Sequence, residues 1–388
     1  MRRIVLNDAY QKKAQALINS LAQEEPLFAE SLLTPQSPSY HGEGPFLRDH
    51  LESMLMVFFA MVEGDLHLLD VEELCRLKGF EGEIQEVEET IREHAALFEV
   101  FILAHDVGKW GSVFFTAPAG SRGEGAGLQM KLSDRFTPEG PSERAKIRCR
   151  YLETYREFCK QYPQESPQAQ QILFADTYEV TTHYSGHEYL IHAPVYREFL
   201  FRLAEARRLS DRDVALLEDL IVHHMQPVRG YRKGPAPSRI EISMGIAHAR
   251  GYDADDFLDL QQAGLFLDLA CGSRSYRQGR YHRDLETFIH FLESEHEYAP
   301  WKREEKQHKR EEQEKRTNNF FFQQAGLDGV ALMDLLKMSP GPAFGKMLGV
   351  IHAAILGEAS MPRFAKGVNE ELGRRMSQFY QLKLTKEV

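Results

Sequence analysis

The sequence has few cysteines, and none of them are closely spaced. Four occur among 388 residues, and no two stand in a Cys-x-x-Cys arrangement. They are Cys75, Cys149, Cys159 and Cys271. This spacing argues against a zinc ribbon and against a dithiol redox site, and it is typical of a protein from a reducing compartment.

Long hydrophobic runs are also missing. The longest apolar run, from Met54 to Val62, is bounded by Glu52 and Glu63 and is too short to span a bilayer. The N-terminal residues contain no apolar segment of the kind found in a secretory signal. The net charge of −11 is the opposite of what a surface built to wrap nucleic acid requires. We therefore expect a soluble cytoplasmic protein with no membrane association.

Three common catalytic motifs are absent as well. No Gly-x-Ser-x-Gly elbow and no Gly-x4-Gly-Lys-Ser/Thr loop occurs, which leaves a serine hydrolase and a P-loop kinase without their anchors. The zincin pattern His-Glu-x-x-His fails by one residue, because the next histidine after His187-Glu188 is His192.

Alternating strand patterns are rare, whereas helical periodicity extends over most of the chain. The predicted helices cover residues 9–23, 46–63, 84–106, 142–162, 191–207, 211–225 and 254–272. Ser210, followed by Asp213, predicts an N-cap before one of them. The glycine- and proline-rich stretch 111–143 predicts a long loop that serves as a lid or substrate loop. The pattern as a whole predicts an all-α fold.

Composition divides the chain into three parts. Residues 1–282 contain the helical patterns with most of the histidines, and they form the predicted main domain. Residues 283–325 become strongly charged with both signs alternating, which predicts a solvated helical linker. Residues 326–388 form a small helical C-terminal region, with a Ser-Pro-Gly-Pro turn between helices near 330–337 and 343–356.

The most informative motif is the adjacent pair His105-Asp106. It follows the hydrophobic run Phe-Ile-Leu-Ala and precedes Val-Gly-Lys, so Lys109 lies about one helical turn further on. Imidazole and carboxylate together suit a divalent transition metal at a hydrolytic centre. A lysine at this distance can neutralise a phosphate as a point charge.

Further candidate ligands occur on other predicted helices. His50 lies on a helix whose other face is apolar, and Asp268 lies in an apolar helix where an unpaired carboxylate is costly. The remaining candidates are His183, His187, His192 and the adjacent pair His223-His224. One histidine on an apolar helix is more often a core residue than a ligand. A shared metal, however, is a single cause for several helices that each present one such residue.

The order His, His-Asp, His, His-His, Asp closely resembles the HD-domain superfamily of metal-dependent phosphohydrolases, over about residues 40–275. The resemblance implies an HD-type helical bundle in which four residues hold the basic metal site: His50, His105, Asp106 and Asp268. It implies that His223 and His224 help to hold a second ion. One further ligand stays open among His192, His187 and His183, with His192 preferred.

Residues 326–357 resemble the tail that follows the HD domain in bacterial CCA-adding tRNA nucleotidyltransferases. The head of that family, a Gly-Ser followed by an Asp-x-Asp pair, is missing here. The cyclic-di-GMP phosphodiesterases are a poor match, because their Asp-Gly-x-Gly-Tyr-Pro does not follow His223-His224.

These resemblances imply a phosphodiesterase or phosphatase with one or two divalent ions, drawn from Mn, Ni, Co, Fe and Mg. Asp106 would ligate metal and orient water, while Lys109 would neutralise phosphate charge. Four cations are candidates for substrate contacts: Arg48, Arg229, Arg232 and Lys233. The expected substrate is a nucleotide or an RNA-end phosphate, such as a 2′,3′-cyclic phosphate. The alternatives are a nucleoside tri- or monophosphate phosphohydrolase and a nucleotide sensor without catalysis. Oligomeric state stays open, with a homo-oligomer among the alternatives.

Overall fold

The computed structural model describes most of the chain in two units. The described residues are 8–38, 41, 43–70, 74, 78–130, 141–226, 237–272, 274–277, 280–283, 288–289, 291–293 and 315–385. The chain divides into two compact units, Met1–Tyr298 and Ala299–Val388. This boundary falls inside the charged stretch 283–325, most of which lies outside the described residues.

Helices make up most of the first unit. Its first six are α1 (Asp8–Glu24), α2 (Pro26–Ser31), α3 (Leu47–Val62), α4 (Glu81–Glu93), α5 (Ala95–Ala104) and the short α6 (Lys109–Ser112). The next seven are α7 (Arg122–Gly125), α8 (Pro141–Cys159), α9 (Pro167–Tyr178), α10 (Pro194–Ala206), α11 (Asp211–His223), α12 (Pro237–Arg250) and α13 (Ala254–Leu265). Among the described residues, the 3₁₀ turns Leu68–Asp70 and His187–His192 lie between these helices, and a π-helical segment, Phe266–Gly272, continues α13.

Strands are few and short. β1 (Phe114–Thr116) pairs antiparallel with β2 (Thr181–His183), and β3 (Arg274–Arg277) pairs antiparallel with β4 (Arg280–Arg283). The pairing of β1 with β2 brings residues 114 and 183 together. The stretch 111–143, predicted as a loop, contains β1 and α7 among its described residues. Apart from these two ladders the described residues are helices and loops, which confirms the predicted all-α fold.

The helix α5 lies at the centre of the first unit because nearly all of its side chains are apolar. It reads Ala-Ala-Leu-Phe-Glu-Val-Phe-Ile-Leu-Ala, and seven of its residues are buried. Its acidic residue, Glu99, pairs with Arg207 at the end of α10. A helix that is hydrophobic on every side is stable only when neighbours surround it. Here α3, α4, α10 and α11 do so, and their side chains share one hydrophobic core.

The start of α11 confirms a predicted cap. The Ser210 hydroxyl accepts from the backbone N–H of Asp213 over 3.2 Å, and the Asp213 carboxylate accepts from the backbone N–H of Ser210 over 2.9 Å. This reciprocal pair satisfies donors that the helix itself leaves unpaired. It therefore fixes where α11 begins, and with it the phase of the histidines at the other end.

Residues 113–180 contribute a second, aromatic core within the first unit. Tyr151 of α8 stacks on Phe115 of β1 with 4.4 Å between ring centroids, and Phe174 of α9 meets Tyr151 edge to face at 5.2 Å. Burying each large ring stabilises the fold by roughly 1.5–3 kcal/mol. This packing joins β1, α8 and α9, which lie between the His-Asp pair and His187 in the sequence.

The second unit has a core of its own. The described residues 315–324 are helical, followed by α14 (Gly329–Leu336), α15 (Pro342–Ile355) and α16 (Lys366–Leu384). Phe322 stacks on Phe379 of α16 at 4.8 Å and on His352 of α15 at 3.7 Å. These contacts join its helices around one hydrophobic cluster.

Candidate metal centre

The turn after α5 carries the first pair of candidate ligands. The backbone N–H of His105 donates to the Phe101 carbonyl, and the His105 ring stacks on the Phe101 ring at 5.1 Å between centroids. Nδ1 of His105 lies 3.0 Å from the carbonyl oxygen of Ile102. A carbonyl only accepts, so Nδ1 carries a proton and the neutral ring keeps its lone pair on Nε2.

Two other histidines are fixed in the same way. Nδ1 of His187 donates to the Tyr184 carbonyl over 2.9 Å, and Nδ1 of His224 donates to the Ile221 carbonyl over 2.6 Å. The Nε2 atoms of these two rings lie 3.3 Å apart. With both Nδ1 atoms protonated, the two Nε2 atoms need either a shared proton or a cation between them. Without that proton, the pair offers two lone pairs to a metal ion.

The helix α3 contributes a fourth ring. Nδ1 of His50 lies 2.9 Å from Oε1 of Glu43, and its Nε2 lies 3.2 Å from Oδ1 of Asp268. A carboxylate on the far nitrogen is a common outer partner of a metal-ligating histidine. Asp268 belongs to the π-helical segment Phe266–Gly272, and π-helical turns frequently occur at functional sites.

These side chains form two groups of three. In each group the ligand atoms lie within 4.8 Å of one another, so each could hold a metal ion. The first group is His50, His105 and Asp268, and the second is Asp106, His187 and His224. Four of the predicted histidines, His50, His105, His187 and His224, therefore lie in these two groups.

Asp106 lies between the two groups. Its Oδ2 is 3.4 Å from Nε2 of His105 and 3.8 Å from Nε2 of His50. Its Oδ1 is 3.1 Å from Nε2 of His187 and 3.9 Å from Nε2 of His224. One carboxylate oxygen thus faces each group, which is the arrangement that a carboxylate bridging two metal ions requires.

The six side chains fit a divalent ion by burial as well as by distance. Each residue exposes 9% or less of its surface. Among the described residues, Nε2 of His105 and both carboxylate oxygens of Asp106 make no hydrogen bond of normal geometry, and their contacts are ion pairs with one another, with Lys109 and with His187. A buried ion pair is costly unless its remaining lone pairs are satisfied. A cation in this cluster would remove that cost, and the mixture of imidazole and carboxylate suits Mn, Fe, Co or Ni.

The buried carboxylates and imidazoles of the cluster shift one another's pKa values. Burial would lower the pKa of His105, but the carboxylates of Asp106 and Asp268 outweigh it and raise that pKa to about 10. Burial would raise the pKa of both carboxyl groups, yet the cations beside them hold each pKa well below its usual value. Burial, helped by His187 and His105, lowers the pKa of His224 to about 4. The two groups thus differ: His224 is a neutral ligand, whereas His105 must lose a proton before it can bind a metal.

Lys109 lies against the bridging carboxylate. Its Nζ is 2.6 Å from Oδ2 of Asp106, 3.5 Å from Nε2 of His41 and 5.0 Å from the centre of the Tyr184 ring. The side chain is buried, so its charge is little screened by solvent. The sequence predicts a cation at this position, and the structure places one directly beside the candidate ligands.

His41 and Glu43 are site residues that the sequence analysis missed. Together with His50 they form a third group whose ligand atoms lie within 4.8 Å of one another. Both lie in the loop before α3, where no periodicity and no motif marks them. The only signal is their short spacing from His50, since His-x-Glu precedes it by seven residues.

The remaining candidates lie elsewhere. His192 and His223 belong to none of the three groups found among the described residues. His183 lies on β2, with its Nε2 2.9 Å from Oγ1 of Thr116. Arg48 donates to the side chain of Asn19 on α1. Arg229, Arg232 and Lys233 lie outside the described residues.

Helix phase explains which histidine of each set reaches the cluster. His223 and His224 are adjacent, so their side chains leave the end of α11 about 100° apart, and only one can face Asp106. His187 begins its 3₁₀ turn and His192 ends it. The close approach of the Gly108 backbone to the His187 carbonyl brings the first of these to the site.

Comparison of the chain with protein-family models, curated proteins and solved structures finds no match. Within the described part of the chain, no helix combines the length and the apolar character that crossing a membrane requires.

Proposed function

We propose that the first unit is a metal-dependent phosphohydrolase of the HD type, a phosphodiesterase or phosphatase. The observation that carries the proposal is Asp106 between two groups of buried ligands, with the ammonium group of Lys109 2.6 Å from its carboxylate. Two ligand sets that share a carboxylate are suited to phosphoester hydrolysis, because attacking and leaving oxygens both need charge compensation.

The six candidate ligands would form two ion positions. His50, His105 and Asp268 would hold one ion, His187 and His224 the other, and Asp106 would ligate both. When bound, such ions supply Lewis acidity toward phosphoryl oxygens and a hydroxide source near neutral pH. The surrounding hydrogen bonds fix the ring orientations beforehand, so little reorganisation accompanies the reaction.

Lys109 would act on the substrate. Its buried ammonium group can contact a phosphate oxygen while it remains next to Asp106. Negative charge that develops on the phosphoryl oxygens in the transition state would be met by a cation already in place. Asp106, which presents an oxygen to each group, would also accept a hydrogen bond from the attacking water and so orient it.

The proposed substrate is a nucleotide or an RNA-end phosphate, such as a 2′,3′-cyclic phosphate. Support comes from the resemblance of the ligand order to HD phosphohydrolases, and of residues 326–357 to the tail of CCA-adding enzymes. A buried metal site with one lysine favours a phosphate group over an uncharged ester, since anions are attracted to clustered cations.

The test combines metal analysis with turnover on the full chain. The metal-free protein is loaded with Mn, Ni, Co, Fe or Mg, and metal content and phosphate release are measured. The substrate panel is a 2′,3′-cyclic nucleotide, an RNA oligonucleotide ending in a 2′,3′-cyclic phosphate, a nucleoside monophosphate and a nucleoside triphosphate. The control variant is His105→Ala/Asp106→Ala. We expect bound metal and turnover of a cyclic or terminal phosphate, both lost in the variant.

Each other outcome has a definite meaning. Turnover of free nucleoside tri- or monophosphates alone would move the substrate class and keep the hydrolase. Metal and nucleotide binding without turnover would leave a nucleotide sensor. Absence of both metal binding and variant-sensitive turnover would overturn the proposal.

A further inference from the structure

We infer that Glu43 and His41 form a positioning pair that serves two parts of the candidate metal centre: Glu43 orients His50 toward the ion, and His41 holds Lys109 for the phosphate. The inference rests on the proposed metal centre and adds residues that the ligand pattern does not contain. Neither residue is expected to touch the reacting atoms.

The contact between Glu43 and His50 fixes the tautomer of the ligand. The carboxylate of Glu43 is buried, and its Oε1 lies 2.9 Å from Nδ1 of His50. A carboxylate oxygen accepts, so Nδ1 of His50 donates across this contact. That leaves Nε2 toward Asp268, and the negative charge behind the ring increases its basicity.

In the contact between His41 and Lys109, the histidine is the acceptor. An ammonium group only donates, so Nε2 of His41 must accept from Nζ of Lys109 at 3.5 Å. This requires the proton of the neutral ring to lie on Nδ1, which faces Oε1 of Glu43 at 3.7 Å, beyond hydrogen-bond distance. Lys109 thus donates to His41 and His50 donates to Glu43, while His41 and Glu43 are neighbours in the same loop.

Packing, burial and a hydrogen bond to the loop hold His41 and Glu43 in place. The rings of His41 and His50 meet edge to face with 4.8 Å between centroids. Exposed fractions of the side chains are 11% for His41 and 5% for Glu43, so solvent competes little for either. The loop that carries them is also held from outside, where the Gln168 side chain donates to the Glu43 carbonyl over 2.8 Å.

The two residues predict separable effects. Glu43→Ala should weaken metal binding about 10–100-fold, the range found when an outer partner of a ligating histidine is lost. Glu43→Gln, which keeps an acceptor oxygen, should lose less. His41→Ala should leave metal affinity nearly unchanged but weaken the binding of inorganic phosphate to the metal-loaded protein about tenfold, as expected for one lost hydrogen bond to a charged group.

The experiment uses the full-length chain. Metal affinity is measured by competition with a chromophoric chelator, and phosphate affinity by calorimetry on the metal-loaded protein. Thermal unfolding of each metal-free variant shows that it is folded. A matched control exists in Glu88→Ala, because Glu88 is also buried and also contacts a histidine Nδ1, that of His67, at 2.8 Å.

The inference is overturned if Glu43→Ala and Glu88→Ala weaken metal binding equally, since both would then act through stability alone. It is also overturned if His41→Ala lowers metal affinity as much as Glu43→Ala does. Both results are independent of turnover. A chain that binds metal with the expected pattern but hydrolyses nothing would contradict the proposed function and leave this inference standing.

Discussion

Hydrogen bonds at Nδ1 determine the tautomer and the ring orientation of each histidine in the candidate metal centre. His105, His187 and His224 each donate Nδ1–H to a backbone carbonyl three residues earlier, while His50 donates to Glu43. Three of these acceptors belong to the main chain, so no side-chain substitution removes them. Ring orientation is therefore set by local backbone geometry, and only the His50 contact depends on another side chain.

The two histidines of the 3₁₀ turn allow a direct comparison. His187→Ala removes a ring whose Nε2 lies 3.1 Å from Oδ1 of Asp106, whereas His192→Ala removes a ring outside the ligand groups. We expect His187→Ala to weaken metal binding by more than the roughly 10–100-fold that loss of an outer partner causes, and His192→Ala to leave it unchanged. Chelator competition measures both. A larger effect from His192→Ala would contradict the assignment.

Metal binding should release protons, because His105 holds one in the metal-free protein. Its raised pKa, about 10, means that the ring is protonated at neutral pH, and the carboxylates of Asp268 and Glu43 likewise raise the pKa of His50. An ion can take the Nε2 lone pair only after that proton leaves, so affinity should increase as pH rises from about 6 to 8. Calorimetry in two buffers of different ionisation enthalpy reports the number released. Equal heats in both buffers would contradict this prediction.

At the scale of elements, the sequence predicts most of the helices around the candidate metal centre, but residues 84–106 form two helices, α4 and α5, and neither α9 nor α12 was predicted. Some residues of the candidate ligand groups also carry a signal in the sequence. The His-Asp pair, His50, Asp268 and one residue of each histidine set were recognisable because apolar periodicity marks the faces that carry them. The sequence could not distinguish His187 from His192, because that choice depends on how closely the 3₁₀ turn approaches α6. Glu43 and His41 carry no periodic signal, because a loop has none.

Gly108 allows the 3₁₀ turn that begins at His187 to lie close to the start of α6. Its backbone is helical, with φ −62° and ψ −20°, so alanine meets no conformational penalty there. A Cβ at this position would instead lie 2.2 Å from the His187 carbonyl oxygen and 3.3 Å from Cβ of Leu190. The glycine is needed for space, and the 3₁₀ turn would have to move to admit any side chain.

Gly108→Ala should therefore cost about 1–3 kcal/mol in the free energy of unfolding and also weaken metal binding, because His187 would be displaced. Gly82→Ala in α4 is the matched control: nothing lies within 4 Å of its added Cβ, and it should stabilise by up to about 1 kcal/mol. Denaturant unfolding and chelator competition measure the two effects. A neutral Gly108→Ala variant would contradict the close approach.

For the molecule as a whole, the candidate metal centre links segments that are far apart in sequence. His50 and Asp268 are separated by 218 residues and His187 and His224 by 37, yet all converge on Asp106. Without a bound ion, buried ion pairs would join these segments, and such pairs add little net stability because desolvation opposes them. An ion bound here would tie α3, α5, α11, the 3₁₀ turn and the π-helical segment to a common centre.

Metal addition should therefore stabilise the first unit in proportion to affinity. An ion at about 100 times its dissociation constant contributes about 2.7 kcal/mol, which corresponds to a rise of roughly 5 °C in the unfolding temperature of a unit this size. Thermal unfolding with metal, with chelator and in the His105→Ala/Asp106→Ala variant measures it. The native chain should respond to metal, and the double variant should not, because its ligand groups are incomplete. An equal rise in both proteins would mean that the ion acts at another site, and no rise in either would mean that the buried cluster holds protons in place of a metal.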